Sequence, residues 1–274
     1  HSRVICTVHN LPDLPTVSSS HRVERAFGDF PSWLNSFNNL MSSVADNALY
    51  PVIMASYFPW TLTYWQKWAF MAGATLIALY LNYRGLELVG SVSTLLTIFI
   101  LLPVVLLFCW DARKIDPAQQ WTVKPDRMDW GAFLGVTLWI YSGWDSVGTI
   151  AGEVENVERT YPIAVLLCLG MQATAYIMPV IWGLTFNGAA DDWVNGYFGT
   201  LGHRVDPPVG YIMDVSAMVG NFGVYMAEIT CTSRVMWAMG TDSMGKQLLS
   251  QFGYLSPTHH TPVVALLVQT VITW

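Results

Sequence analysis

Five consecutive residues, Tyr141-Ser142-Gly143-Trp144-Asp145, place a carboxylate, a hydroxyl and two aromatic rings around a glycine. They sit in the middle of an otherwise apolar stretch, Trp130 to Glu155, long enough to cross a bilayer. Glycine weakens a helix by about 1 kcal/mol relative to alanine. An ionisable group at mid-bilayer costs about 2.5–3.5 kcal/mol on insertion scales. A span that is polar and breakable at its centre exposes backbone carbonyls and a carboxylate, which together suit a cation. The flanking rings of Trp139, Tyr141 and Trp144 add faces that attract an ammonium group by about 0.5–2 kcal/mol.

Other carboxylates share the apolar environment. Asp46 and Glu228 lie deep in apolar segments, as Asp145 does, and Asp214 lies nearer a segment end. Lysines and arginines stay shallow, Lys67 and Arg234 falling close to span ends. Carboxylates without basic partners must take up a proton, meet a cation or face water. Blander roles stand beside these. Asp145 can cap a half-helix that starts after the break. Asp46, five residues before Pro51, can satisfy backbone groups freed by a proline kink. Glu228 fits a helix-packing or gating partner better than a ligand. Trp139 and Tyr141 can be core packing or a lid over the break. Glu153, just beyond the span, can be a solvated loop charge or a proton carrier.

The elements that position these residues are helical spans. Six candidates are legible: Asn35–Phe58, Trp65–Asn82, Leu86–Trp110, Trp130–Ala151, Ile163–Phe186 and Val209–Met239. A seventh apolar run, Pro262–Trp274, is partial. Polar, turn-rich connections join them, notably 111–129 and 187–208. Residues 1–22 show no span and no periodicity and read as a loop or tail. Only 12% of residues are charged, about half the share in soluble domains. Trp60, Trp65, Trp110, Trp130 and Trp193 mark span edges, where such rings favour the headgroup level. Lys and Arg divide equally between the two faces, so charge bias leaves orientation open.

The same composition excludes several classes. A net charge of −6 gives no basic surface for nucleic acid. Cys6, Cys109, Cys168 and Cys231 are widely scattered, which predicts reduced thiols rather than disulfides or a metal centre. Nucleophile-elbow and phosphate-loop patterns are missing from the sequence, so no catalytic residue, cofactor or enzyme activity is expected.

Five motifs carry a resemblance. WIYSGWDSVGTIAGEVENVERTYPIA (residues 139–164) resembles the sixth span and following loop of amino acid–polyamine–organocation permeases. Asp46-Asn47-Ala48-Leu49-Tyr50-Pro51 resembles that superfamily's third span, and Leu81-Asn82-Tyr83-Arg84-Gly85 its link between spans four and five. Met239-Gly240-Thr241-Asp242 and His260-Thr261-Pro262-Val263-Val264 resemble the loop between spans eight and nine. The likeness is closest to the polyamine uptake transporters of plants and trypanosomatid protozoa. It departs at Val157, where the family has proline, and at Ile140, where polyamine members often have a polar residue.

The resemblance implies an all-α integral membrane protein with a LeuT-like inverted-repeat bundle. Residues 23–274 would be a partial transmembrane domain covering about spans three to nine, and 1–22 a non-family tail. It further implies a plasma-membrane permease for polyamines or related cationic amines, with a proton as coupling ion and the bilayer as its surroundings. Asp145, Tyr141, Trp139, Trp144, Ser142, Gly143 and Tyr50 would bind substrate. Asp46, Glu153 and Glu228 would be the proton-coupling candidates. Two other readings stay open: an amino-acid permease of the same fold, and a truncated membrane protein without transport of its own.

Overall fold

The computed structural model describes residues 23–24, 26–58, 60–111, 128–140, 143–144, 146, 154, 156–185, 193, 196–241 and 249–274. The tail, 1–22, lies outside them. Eight α-helices are described: α1 Asp29–Ser56, α2 Tyr64–Arg84, α3 Leu86–Asp111, α4 Trp130–Ile140, α5 Val157–Thr185, α6 Tyr197–Val205, α7 Pro207–Thr241 and α8 Val263–Ile272. A short 3₁₀ turn, Ser250–Gly253, precedes α8.

Each expected span overlaps a described helix, the fourth only over Trp130–Ile140, and a chain in lipid must satisfy its backbone within the segment. Two of these helices, over Leu86–Cys109 and Val157–Thr185, are both long and apolar enough to cross a membrane. At a rise of about 1.5 Å per residue each exceeds the roughly 30 Å hydrocarbon core. Helices α1, α2 and α7 have the length, 28, 21 and 35 residues, but not the apolarity. The reason is visible in the packing: their polar side chains face one another inside the bundle.

Helix α7 is the axis. It packs against α1, α2, α3, α6 and α8. One apolar cluster joins Tyr50 and Met54 of α1 to Ala74 and Ala78 of α2, Tyr225 and Ile229 of α7, and Leu266 of α8. A polar ladder runs alongside. Asn82 Nδ2 donates to the carbonyl of Met226 at 3.2 Å, and its Oδ1 accepts from the Thr230 hydroxyl at 2.5 Å. Asn47 Nδ2 donates to Thr232 Oγ1 at 3.3 Å, and Gln269 Nε2 to the carbonyl of Ile229 at 3.2 Å. Thr75 and Tyr225 share a hydroxyl–hydroxyl bond of 3.1 Å. The lipid-length helices α3 and α5 lie outside this knot with Leu95, Ile98, Leu102, Leu166 and Leu167 exposed.

Local chemistry sets the ends. Thr63 and Gln66 form a capping box at the start of α2, the Thr63 amide donating to Gln66 Oε1 at 3.0 Å. Gly85, at φ +109°, turns the chain from α2 directly into α3. On that corner Thr261 Oγ1 donates to the carbonyl of Tyr83, and His259 meets the Tyr83 ring edge-on at 5.1 Å. Two motifs almost 180 residues apart in sequence therefore meet in space.

One expectation is corrected. The connection 187–208, read as a turn-rich loop, contains the nine-residue helix α6. Its glycines hid it. Gly199 and Gly202 lower helix propensity, yet they are what allow α6 to lie against α7. A Cβ on Gly202 would stand 2.8 Å from the Gly210 Cα, and one on Gly199 would run into the Asp214 carboxylate.

Candidate functional site

Construction of the site begins where α4 stops. Asp129 caps its start, Oδ1 accepting from the Ala132 amide at 3.0 Å. The helix is described over Trp130–Ile140, and Gly143 takes φ +84°, a left-handed conformation suited to glycine. The Ser146 amide donates to the Gly143 carbonyl at 3.0 Å, closing a tight turn. The last carbonyls of any helix lack intrahelical partners and carry partial negative charge. Trp139 stands exposed on the last turn of α4, and Trp144 is half-buried in the turn. Tyr141, Ser142, Asp145 and Glu153 lie outside the described residues.

The turn docks on the middle of α7. The Cys231 thiol donates to the Ser146 carbonyl at 3.7 Å. Thr232, the next residue, accepts from Asn47 of α1, so α1 and α7 are pinned together at the same level. One turn along α7 from Cys231 lies Glu228, half-buried. One turn along α1 from Asn47 lies Tyr50, whose side chain is 92% buried by its 8% exposure. Its ring sits 6.3 Å from that of Tyr225, and its hydroxyl lies within electrostatic reach of the Glu228 and Asp46 carboxylates. Asp46, at i−4 from Tyr50, occupies the same face of α1 and is half-buried.

Asp46, Tyr50, Glu228 and the Gly143 turn are thus gathered at one level of the bundle by α1, α7 and the end of α4. Two carboxylates and a phenol hydroxyl, beside helix-end carbonyls, form an electron-rich lining that favours a cation or a proton. No cluster of metal-ligating side chains occurs among the described residues. Cys109, Cys168 and Cys231 form no disulfide among the described residues, and Cys6 lies outside them.

Three residues of consequence escape the sequence reading. Cys231 and Thr232 looked like ordinary helix-filling residues, and their cross-helix partners are far away in the chain. His203 is the third. Asp214, expected to be a carboxylate without a basic partner, has one: His203 Nε2 lies 2.9 Å from Asp214 Oδ2. The partner sits on α6, the helix concealed in an assumed loop, so sequence distance gave no sign of it.

Comparison with known proteins fits this geometry. A family model described as amino acid permease matches residues 20–274. "Polyamine transporter RMV1" of Arabidopsis thaliana is 31% identical over 255 residues, covering 89% of this chain and 51% of the relative. "Polyamine transporter PUT1" of Oryza sativa subsp. japonica is 29% identical, covering 89% of this chain and 46% of the relative. "Serine/threonine exchanger SteT" of Bacillus subtilis (strain 168) is 26% identical, with 73% and 46% covered. The chain spans about half the length of the curated relatives it matches. With a family match over nearly all its residues and two lipid-length helices, the chain belongs to the amino acid permease family.

Proposed function

We propose that this protein carries polyamines or related cationic amines across a membrane, as a proton-coupled symporter in the plasma membrane. The fold we assign to it is a LeuT-like inverted-repeat bundle, of which this chain supplies about spans three to nine. The observation that carries the reading is the convergence of Asp46, Tyr50 and Glu228 beside the Gly143 turn. An ammonium group meets helix-end carbonyls and the Asp145 carboxylate there, while Trp139, Tyr141 and Trp144 pack the methylene chain and Ser142 offers a hydroxyl. Tyr50 reaches in from α1. Asp46, Glu153 and Glu228 are the groups available to hold the coupled proton.

Replacing Asp145 by asparagine removes the charge and keeps the shape. Uptake of labelled putrescine should fall to background while the amount of protein in the membrane is unchanged. Near-normal uptake by D145N excludes the ligand role. A second reading, amino-acid transport by the same site, draws on the similarity to the serine/threonine exchanger. Competition separates the two: unlabelled spermidine should suppress putrescine uptake, whereas leucine and arginine should suppress it only if the site accepts amino acids.

A further inference from the structure

We propose that a cavity walled by α1, α2, α7 and the residues after α8 is a second amine site, which takes up a primary ammonium group. The site does not depend on what the protein transports. The cavity has a volume of about 190 Å³. Asn47 and Pro51 of α1, Trp68 of α2, Tyr225 of α7, and Thr273 and Trp274 after α8 line it. Trp68 and Trp274 are exposed and form its mouth, whereas Asn47 and Tyr225 are each 1% exposed and form its inner end. Trp68 lies in the second turn of α2, and tryptophan near a helix end favours the headgroup level of a bilayer.

The polar side chains of the wall are engaged, with one exception. Trp274 Nε1 donates to Thr75 Oγ1 at 3.2 Å, and Thr75 shares a hydroxyl–hydroxyl bond of 3.1 Å with Tyr225. Thr273 Oγ1 donates to the carbonyl of Gln269 at 2.6 Å. Asn47 Nδ2 donates to Thr232, but the buried Asn47 Oδ1 accepts no hydrogen bond among the described residues. A buried amide oxygen without a donor is costly, and native proteins rarely leave one so. A ligand that brings an N–H into the cavity satisfies it. Among the described residues no charged side chain lines the cavity.

The rings select the sign of the ligand's charge. The Trp68 and Trp274 centroids are 5.7 Å apart with the planes tilted by 44°, so the two faces diverge instead of stacking. Tyr225 supplies a third ring. Aromatic faces carry negative potential, which attracts a cation within about 6 Å and repels an anion. Water alone suits the space poorly. It has the volume of about six waters at roughly 30 Å³ each, yet each would want two to four polar partners, and the wall side chains leave one acceptor unengaged. A hard metal ion would want several oxygens. An alkylammonium group meets the whole wall, giving an N–H to Asn47 Oδ1, its charge to the rings and its methylenes to Pro51. A phospholipid with an aminoethyl headgroup and a free primary amine both carry that group, while a quaternary ammonium has the charge without the N–H.

The test is native mass spectrometry of the purified protein in detergent with phosphatidylethanolamine, phosphatidylcholine or phosphatidylglycerol of matched chains. A second arm measures the thermal midpoint with free ethanolamine. Phosphatidylethanolamine should be retained about fivefold over phosphatidylcholine, the factor for one hydrogen bond of about 1 kcal/mol that a quaternary headgroup cannot make. Phosphatidylglycerol, without a cation, should be retained least. Trp68→Leu removes a ring at an exposed position, and Asn47→Leu removes the acceptor; each should abolish the preference. A lipid preference assigns the ammonium to the bilayer. A midpoint raised by ethanolamine and insensitive to it in W68L, with no lipid preference, assigns it to a soluble amine. Equal retention of the three lipids with no W68L-sensitive ethanolamine shift overturns the proposal, and so does a preference that survives in either variant. Should N47L fail to fold, W68L decides by itself.

Discussion

The Asn82–Thr230 contact offers a direct measure of what the polar ladder contributes. Asn82 is buried between α2 and α7 and makes three hydrogen bonds: Nδ2 to the carbonyls of Ala78 at 3.0 Å and Met226 at 3.2 Å, and Oδ1 from Thr230 at 2.5 Å. Asn82→Leu keeps the volume and removes all three. Hydrogen bonds between membrane helices average about 0.6 kcal/mol each, with a maximum near 1.7. The bond to Ala78 lies within α2, so the two cross-helix bonds dominate. The loss should be about 1–2 kcal/mol. Thr230→Val removes one of those bonds, while its carbonyl partner Met226 still accepts from its own helix, so it should cost about 1 kcal/mol. The double variant should cost less than the two losses together, leaving a coupling energy of about 0.6–1.7 kcal/mol assigned to the shared bond. Reversible unfolding of the four proteins in mixed micelles reads these values. Thr94→Val is the control, since that hydroxyl bonds only the Gly90 carbonyl of its own exposed helix turn and should change little. A coupling energy indistinguishable from zero refutes the claim that the Asn82–Thr230 bond holds α2 on α7.

Further outcomes follow from single contacts. Gly240→Ala should destabilise the protein by about 1–3 kcal/mol, because the new Cβ would stand 2.7 Å from the backbone of Gly253 and of Leu249; an unchanged melting temperature would contradict that packing. Tyr50→Phe should change stability by less than about 1 kcal/mol, since no hydrogen bond holds its hydroxyl among the described residues, yet it should weaken putrescine uptake through a higher KM. Uptake kinetics identical to wild type would remove Tyr50 from the proposed substrate contacts. Gln66→Ala should cost about 0.5–1 kcal/mol by opening the capping box of α2, measurable as a lower thermal midpoint.

The gathering of Asp46, Tyr50 and Glu228 has a mechanical counterpart. The bonds that pin α1, α2, α7 and α8 together lie on the side of α7 that also carries the apolar cluster. The Gly143 turn touches α7 through a thiol–carbonyl contact of 3.7 Å, a much weaker link.

The amino-acid sequence by itself determined where the long helices lie and which residues are unusual within them. Long apolar runs in a chain with few charges can satisfy their backbone only as helices, so the all-helical character and the two lipid-length helices were legible before any coordinates. The carboxylates at Asp46 and Glu228 were visible as single residues. Their meeting with Tyr50 was not, since that depends on which faces of α1 and α7 are turned together, and Asn47 and Thr232, which fix the register, are 185 residues apart. Tertiary structure alone decided α6. Its glycines argue against a helix when only propensity is weighed, and the close seat on α7 that repays them exists only in three dimensions. That same seat brings His203 onto Asp214 and gives a carboxylate that looked solitary in the sequence a hydrogen-bonding partner.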